Sequence, residues 1–264
     1  MLADILEDSL WQMSPGERAA MKGILAELEP AVAIEIGTGQ GGSLRRIAAA
    51  AGHVHAFDVS APAADLGALP NVTFHTGDSH QLLSRVLTEL AEAGANVDFV
   101  LVDGDHFADG VRRDVEDLLA SPALSRTLIV LHDTANAEVR AGLNSIDYAA
   151  WPKLTWVDLD WIPGFRFREG PMRGEAWGGL GIMVADAEHG PAAGPAIVAS
   201  YAYPAAAVLA AYSSDARKVA SNGRDVQALR GRVAVLERLQ VQLTSSVRRR
   251  LTRPLRTLKR ALRR

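Results

Sequence analysis

Acidic and imidazole side chains follow three apolar segments of this 264-residue chain. Asp58 follows HVHAF, Asp103 follows FVLV, and His132 and Asp133 follow LIVL. Short apolar segments bounded by polar residues are typical of buried strands. The carboxyl ends of parallel strands meet at one edge of a sheet, where ligands bind. We therefore expect these side chains to converge on one crevice that opens to a ligand.

A glycine-rich turn follows an earlier apolar segment, residues 31–36. Glycines turn the backbone through conformations that other residues avoid, and they bring N–H groups close to a ligand at the start of a helix. Two patterns fit this turn. Gly37, Gly39 and Gly42 match the dinucleotide fingerprint G-x-G-x-x-G. Glu35 with Gly37, Gly39 and Gly41 matches the E-x-G-x-G-x-G pattern of S-adenosylmethionine sites.

Asp58 lies 19 residues after Gly39, at the end of the second predicted strand. A carboxylate there can accept hydrogen bonds from ribose hydroxyls. The two features together predict a nucleotide or nucleoside site. The alternative is a glycine-rich turn that binds no ligand.

The elements that position these residues alternate regularly between strand and helix up to about residue 144. This alternation predicts an α/β fold with a doubly wound sheet. Two later strand-like segments, KLTWVDLDWI and GGLGIMVADA, have no helix between them and predict an antiparallel hairpin at the sheet edge. Upstream, helices are expected at DILEDSLWQM and after Ser14, where Pro15 and Glu17 complete a capping box.

The succession of strand-end motifs resembles the class I S-adenosylmethionine-dependent O-methyltransferases. Within that class it is most similar to the branch of the macrolide sugar O-methyltransferases and the cephalosporin hydroxylase-like proteins. The resemblance covers about residues 30–185. It implies a Rossmann-like sheet of seven strands that ends in the antiparallel hairpin. The motifs that carry it are EIGTGQGG, AFDVS, TGDSH, FVLVDGDH and LIVLHDT.

The resemblance also implies roles for individual residues. Asp58 would hold the ribose hydroxyls, while Asp78 and Ser79 would border the adenine. Asp103 would face the methionine end and, in metal-dependent relatives, coordinate magnesium with two residues after the fifth strand, here His132 and Asp133. The residues implied around the methionine part are Glu35, Gly37, Thr38, Gly39 and Gly41. A hard cation prefers oxygen ligands, so the histidine places the magnesium in question.

His106 is the expected catalytic base, acting with Asp103 and Asp133. It stands three residues after Asp103, where catechol O-methyltransferase-like enzymes carry a lysine base. An acceptor hydroxyl is a weak nucleophile until a base removes its proton, and a neutral imidazole can do so. The alternatives are that His106 caps the next helix and that His132 orients Asp133.

Aromatic residues concentrate in the late hairpin region, which holds four of the five tryptophans. Aromatic faces suit the apolar faces of sugar rings. Strand alternation predicts Trp161 in the core. Trp156, which shares its strand face with two acids, and Trp177, which is followed by glycines, are expected in an acceptor pocket. The expected acceptor is a hydroxyl of a sugar in a surface glycan or a glycosylated metabolite.

Charged side chains are distributed unevenly along the chain. Residues 247–264 hold nine of the 28 basic side chains and no acid, so residues 1–246 carry 19 basic against 31 acidic side chains, a net charge of −12. An acidic body argues against nucleic-acid binding. The absence of cysteine, of a secretory signal and of a membrane-spanning segment suits a cytoplasmic protein. The expected organisation is an N-terminal helical segment (1–29), a cofactor domain (30–187), a linker (188–220) and a C-terminal helical tail (221–264).

The C-terminal tail carries two patterns. Apolar residues from Val226 to Val247 recur at steps of three and four, which fits either a coiled coil that joins two copies or a lone amphipathic helix. Leucines and arginines in residues 247–264 predict a helix on an anionic membrane surface. The sequence therefore predicts a membrane-associated O-methyltransferase. The alternatives are a nicotinamide-dependent oxidoreductase, for which Tyr148 and Lys153 are one residue too far apart, and a non-catalytic scaffold.

Overall fold

The computed structural model describes residues 10–190 and 196–198. Its strands are β1 (Val32–Ile36), β2 (His53–Asp58), β3 (Val72–Thr76), β4 (Phe99–Val102), β5 (Arg126–Leu131), β6 (Leu154–Ile162), β7 (Phe165–Arg166), β8 (Ala176–Trp177), β9 (Leu180–Asp186) and β10 (Ala196–Val198). Its helices are α1 (Pro15–Leu28), α2 (Gly42–Ala50), α3 (Ala64–Gly67), α4 (Ser79–Glu92), α5 (Ala108–Ala120) and α6 (Ala137–Asn144), with a 3₁₀ turn at Tyr148–Ala150.

The main sheet has the strand order β10-β6-β9-β5-β4-β1-β2-β3. Only β9 runs antiparallel, between β5 and β6, among the described strands of this sheet. The Rossmann-like seven-stranded sheet and its antiparallel hairpin are therefore confirmed. The short β10 adds an eighth strand, parallel to β6, within residues expected to be linker. Strands β7 and β8 form a separate hairpin in the segment between β6 and β9.

Helices cover both faces of the sheet. Alternate residues of β4 explain why, because Val100 and Val102 pack into the core layer of α4, α5 and α6. Phe99 and Leu101 point the other way, into the layer of α1, α2 and α3. All four side chains are buried. A strand that is apolar on both faces is the signature of a doubly wound sheet.

Helix α1 begins as the sequence predicts. Ser14 is its N-cap, Pro15 opens the first turn, and the Ser14 and Glu17 side chains each accept a hydrogen bond from the other residue's backbone N–H. The earlier helix expected at residues 4–13 is not seen in its described part, since residues 10–13 are not helical. Residues 1–9 lie outside the described residues.

The coiled-coil and membrane predictions for the C-terminal tail also lie outside the described residues. Within the described part of the chain, no helix combines the length and apolar character needed to cross a bilayer.

Candidate functional site

The glycine turn between β1 and α2 lies directly against the end of β4. Gly37 has φ +85°, and a Cβ atom there would lie 2.0 Å from the carbonyl oxygen of Asp103. Gly41 is the N-cap of α2, at φ +77°. Only glycine lets the two strand ends approach this closely. Gly37, Thr38 and Gly39 line a cavity of about 860 Å³.

Asp58 holds the same turn from the end of β2. Its Oδ2 accepts hydrogen bonds from the backbone N–H groups of Thr38 and Gly39, each at 3.0 Å, and from the Thr38 hydroxyl. Its Oδ1 accepts from Ser60 N at 2.8 Å. Partial burial would raise the pKa of Asp58, but the N–H donors outweigh it and lower that pKa. An ionised carboxylate thus faces the cavity beside the glycine turn.

Glu35 lies behind the glycine turn, away from the cavity lining. Its side chain is fully buried and accepts a hydrogen bond from the Ser43 hydroxyl. Burial raises the pKa of this carboxyl well above its ordinary value. Its position suits support of the turn. Direct contact of Glu35 with the methionine part of a cofactor remains a prediction.

A second cavity, of about 370 Å³, adjoins the first. It is bordered by Asp78, which caps α4 by accepting from His80 N, and by Ser79. Both cavities reach Gly37 and Asp58. The ribose and adenine residues expected from the sequence therefore lie along one continuous depression.

The strand ends of β4 and β5 bring together two acids and two imidazoles. Asp103 Oδ1 lies 2.7 Å from His132 Nδ1, and Asp133 Oδ2 lies 3.0 Å from His106 Nε2. His132 Nδ1 is also 3.4 Å from Asp133 Oδ2. All four residues line the larger cavity with the glycine turn. The predicted convergence of these side chains is present.

Mutual contacts shift the pKa values in this cluster. The hydrogen bond to Asp133 raises the pKa of His106. Burial opposes a charge on His132, yet Asp103 and Asp133 raise its pKa well above the ordinary value. Burial likewise opposes a charge on Asp133, but hydrogen bonds from His106 and His132 hold its pKa well below the usual range. The cluster therefore pairs anionic carboxylates with imidazoles that readily take up protons.

One trio of side chains offers donors for a metal ion. Asp103, His106 and Asp133 each offer one atom, and these atoms lie within 4.8 Å of one another. His132 is not in this trio, and its role as a metal ligand stays a prediction; its Nδ1 contacts Asp103, and its buried Nε2 has no hydrogen-bond partner among the described residues. One imidazole with two carboxylates suits manganese or zinc better than magnesium.

His106 does not cap a helix. The N-cap of α5 is Phe107, and it makes no side-chain capping bond. The His106 side chain is 40% exposed. Its ring lies 5.4 Å from the ring of Trp177, centroid to centroid. It thus faces the open cavity beside an aromatic wall.

The aromatic wall comes from the β7–β8 hairpin. Phe165, Phe167 and Trp177 line the cavity, as the sequence favoured for Trp177. Trp161 packs against the core, as expected. The expectation for Trp156 is wrong, because its side chain is 41% exposed and lies outside the cavity lining.

Alternation also fails along β6 between Val157 and Trp161, because the register of this strand shifts. The pairing of β6 with β9 is irregular between Leu154 and Trp156 and again between Asp158 and Ile162. Val157 and Trp161 consequently pack into opposite core layers, although strict alternation puts them on one face. Sequence periodicity does not reveal such a bulge.

Glu17 is a site-supporting residue that the sequence marked only as a helix cap. Its fully buried side chain accepts a hydrogen bond from Gly179 N and lies 3.8 Å from His132 Nε2. Next to it, Gly178 N donates to Asp133 Oδ1 at 2.5 Å. The capping-box pattern marks Glu17 in the sequence, but it does not predict the contacts of Glu17 with Gly179 and His132.

Tyr148 and Lys153 do not form a hydride-relay pair. The buried Tyr148 hydroxyl donates to Leu143 O at 2.7 Å, and Lys153 Nζ donates to Ser121 O. Neither residue lines the cavity that holds the glycine turn. This arrangement gives no support to the nicotinamide alternative.

Residues 34–134 match the family model described as a methyltransferase domain. The chain therefore carries a methyltransferase domain. The matched segment contains the glycine turn, Asp58, Asp103 and Asp133, which line the larger cavity. The expected enzyme class is thereby confirmed, and S-adenosylmethionine is its expected cofactor. A search of curated proteins gave no significant match to the methyltransferase.

Several solved structures are similar to this methyltransferase. They include an O-methyltransferase from Bacillus cereus in complex with SAH (17% identity, TM-score 0.48, covering 66% of this chain and 83% of that one). TomG from Streptomyces achromogenes, an O-methyltransferase involved in tomaymycin synthesis, has 16% identity and a TM-score of 0.46, covering 66% and 81%. MycE, from the mycinamycin biosynthetic pathway and in complex with Mg, SAH and mycinamycin VI, has 16% identity and a TM-score of 0.44, covering 70% and 52%.

Proposed function

We propose that this methyltransferase acts on a hydroxyl group and that His106 is the base that activates it. The observation that carries the proposal is the 3.0 Å contact of His106 Nε2 with Asp133 Oδ2, in the cavity that also contains the glycine turn. An imidazole oriented by a carboxylate is a recurrent arrangement for proton transfer. Asp103, 4.0 Å from His106 Nε2, adds a second negative charge that favours proton uptake.

S-adenosylmethionine supplies a methyl group on a positively charged sulfur. Gly37, Thr38 and Gly39 form the wall that would hold its methionine part, with Asp58 at the ribose hydroxyls. When Nε2 of His106 donates to Asp133, Nδ1 keeps its lone pair and can accept the proton of the acceptor hydroxyl. The new oxygen–methyl bond then forms as the sulfur–methyl bond breaks, and the proton stays on His106.

The acceptor proposed is a small molecule or glycan that presents a sugar ring. Phe165 and Phe167 are in edge contact, with ring centroids 5.2 Å apart, and Trp177 stands beside His106. These rings offer apolar faces next to the acid–imidazole cluster, a combination that suits a ring with one apolar face and several hydroxyls. The hydroxyl nearest His106 would be methylated.

The test compares H106A with the wild type. Each enzyme is supplied with labelled methyl donor and with glycan extracts from the organism that encodes it. We expect turnover to fall by about 100-fold or more, while the affinity for S-adenosylhomocysteine stays within about twofold. His189, whose side chain is 78% exposed, provides the control variant H189A. Full turnover by H106A would reject His106 as the base, and label in products without sugar would reject the acceptor.

A metal-assisted reaction is a second candidate, favoured by the trio Asp103, His106 and Asp133. A divalent cation held there would stabilise the negative charge that develops on the acceptor oxygen. Dialysis against a chelator separates the two candidates. The base proposal expects turnover to survive chelation. Loss of turnover that Mn²⁺ restores would make the three residues metal ligands instead.

For residues 247–264 we propose attachment to an anionic membrane surface. The proposal rests on the sequence, in which nine basic side chains accompany leucines at positions 251, 255, 258 and 262. Each basic residue near an anionic surface contributes about 1 kcal/mol. We expect the full chain to sediment with phosphatidylserine vesicles, and a chain that ends at residue 246 to remain in the supernatant. Sedimentation of the shortened chain would contradict the proposal.

A further inference from the structure

The smaller cavity holds a polar group whose partner is hidden from the cavity. Ser79, the first residue of α4, borders this cavity. Its hydroxyl donates a hydrogen bond to Asp114 Oδ1 at 2.9 Å. Asp114 belongs to α5, and its side chain is 0% exposed. A buried carboxylate therefore stands directly behind the cavity wall at which the sequence resemblance predicts the adenine of the cofactor.

The Asp114 carboxylate is incompletely paired. Its Oδ2 is buried and has no hydrogen-bond partner in the described part of the chain. His80 Nδ1 lies 3.3 Å from its Oδ1. Burying a carboxylate with an unpaired oxygen costs stability. The buried Asp114 carboxylate destabilises the fold and yet contacts a residue that lines the cavity. This combination indicates a functional constraint.

The contact with Asp114 decides how Ser79 can interact with a ligand. A hydroxyl has one proton and two lone pairs. With the proton directed to Asp114, Ser79 Oγ offers only lone pairs to the cavity. It can then accept a hydrogen bond from an amino group but cannot donate one to a carbonyl oxygen. Burial raises the pKa of Asp114 to about 6, so the carboxylate form dominates at pH 7.5.

We propose that Asp114 is a specificity-determining positioning residue that, through Ser79, makes the base subsite select the amino group of adenine over the carbonyl oxygen of hypoxanthine. The inference deepens the proposed function, since it assumes that the smaller cavity receives the base of the cofactor. Asp114 itself does not touch the ligand. Its effect passes through the orientation of one hydroxyl.

The test compares S-adenosylhomocysteine with S-inosylhomocysteine, in which an oxo group replaces the 6-amino group. Affinities are measured by calorimetry at pH 7.5 with the full chain. We expect the wild type to bind the adenosyl ligand more tightly than the inosyl ligand. D114N and S79A should each reduce the ratio of the two dissociation constants by about tenfold. The double variant D114N/S79A should reduce this ratio no further than S79A alone, because both substitutions act through one hydroxyl.

Asp109 provides the matched control on the same helix. Its side chain is 86% exposed, so D109N should leave the preference unchanged. Equal weakening of both ligands by D114N would assign Asp114 a merely structural role and overturn the proposal. If D114N fails to fold, an unchanged ligand preference in S79A would still overturn the proposal. A wild type that binds neither ligand would instead contradict the proposed function.

Discussion

The backbone N–H of Gly179 donates a hydrogen bond to Oε1 of Glu17, a residue 162 positions earlier in the chain. The other carboxylate oxygen of Glu17 accepts from Ser14 N at the start of α1. Gly178, the neighbour of Gly179, donates to Asp133. One buried carboxylate thus joins the first described helix to the turn that holds Asp133, just after Trp177.

Replacing Glu17 by alanine should therefore destabilise the protein and disturb the site together. One buried and one partly buried N–H donor lose their acceptor, and we expect the free energy of unfolding to fall by about 2–4 kcal/mol. Urea denaturation measures this change. Glu27, which is exposed on the same helix, provides the control E27A, expected within about 0.5 kcal/mol of the wild type. Equal stability of the two variants would contradict the role given to Glu17.

Local signals in the sequence were sufficient for the main alternation of strands and helices and for half of the Glu17 interaction, but not for the short elements α3, β7, β8 and β10. The Ser14–Glu17 capping box involves residues three apart, so its pattern is visible in the sequence. The bond to Gly179 depends on how the β8–β9 turn packs against α1, and no local pattern encodes such a contact. The strand-end acids were predictable because parallel strands align their carboxyl ends.

The finer geometry of the cluster was not predictable for the same reason. The sequence placed Asp103, His132 and Asp133 together and expected His106 to act with Asp103 and Asp133. It did not show which of the two acids the His106 imidazole would contact. The pairing of each imidazole with one acid depends on side-chain orientation. Asp114 was missed because a carboxylate within a helix ordinarily faces solvent.

The glycine turn offers a test that separates folding from cofactor binding. In G37A the added Cβ would lie 2.0 Å from Asp103 O, and backbone at that position cannot move aside cheaply. We expect a loss of more than about 4 kcal/mol, or no folded protein, by denaturation. Gly39 has φ +47° and nothing within 4 Å of its Cβ position, so G39A should cost about 1–2 kcal/mol.

Gly39 nevertheless lines the larger cavity. G39A should remain folded yet bind S-adenosylhomocysteine at least about tenfold more weakly by calorimetry, because the methyl group occupies space that the cofactor needs. G37A as stable as G39A would refute the close approach of the turn to β4. Unchanged affinity in G39A would place the cofactor elsewhere.

Lys153 predicts how the stability of the protein changes in alkaline solution. Burial lowers its pKa from 10.5 to about 8, and its Nζ donates to Ser121 O. Between these two values the unfolded chain binds a proton that the folded chain does not, so stability rises with pH from about 8 upward. The pKa of Tyr148 is raised from 10.0, which would reverse the trend only above pH 10.

Urea denaturation at pH 8, 8.75 and 9.5 should show the rise in stability in the wild type. K153M should show a flatter profile, because methionine does not titrate. An identical slope in K153M would mean that the Lys153 amine has its ordinary pKa in the folded protein and is not desolvated beside Ser121.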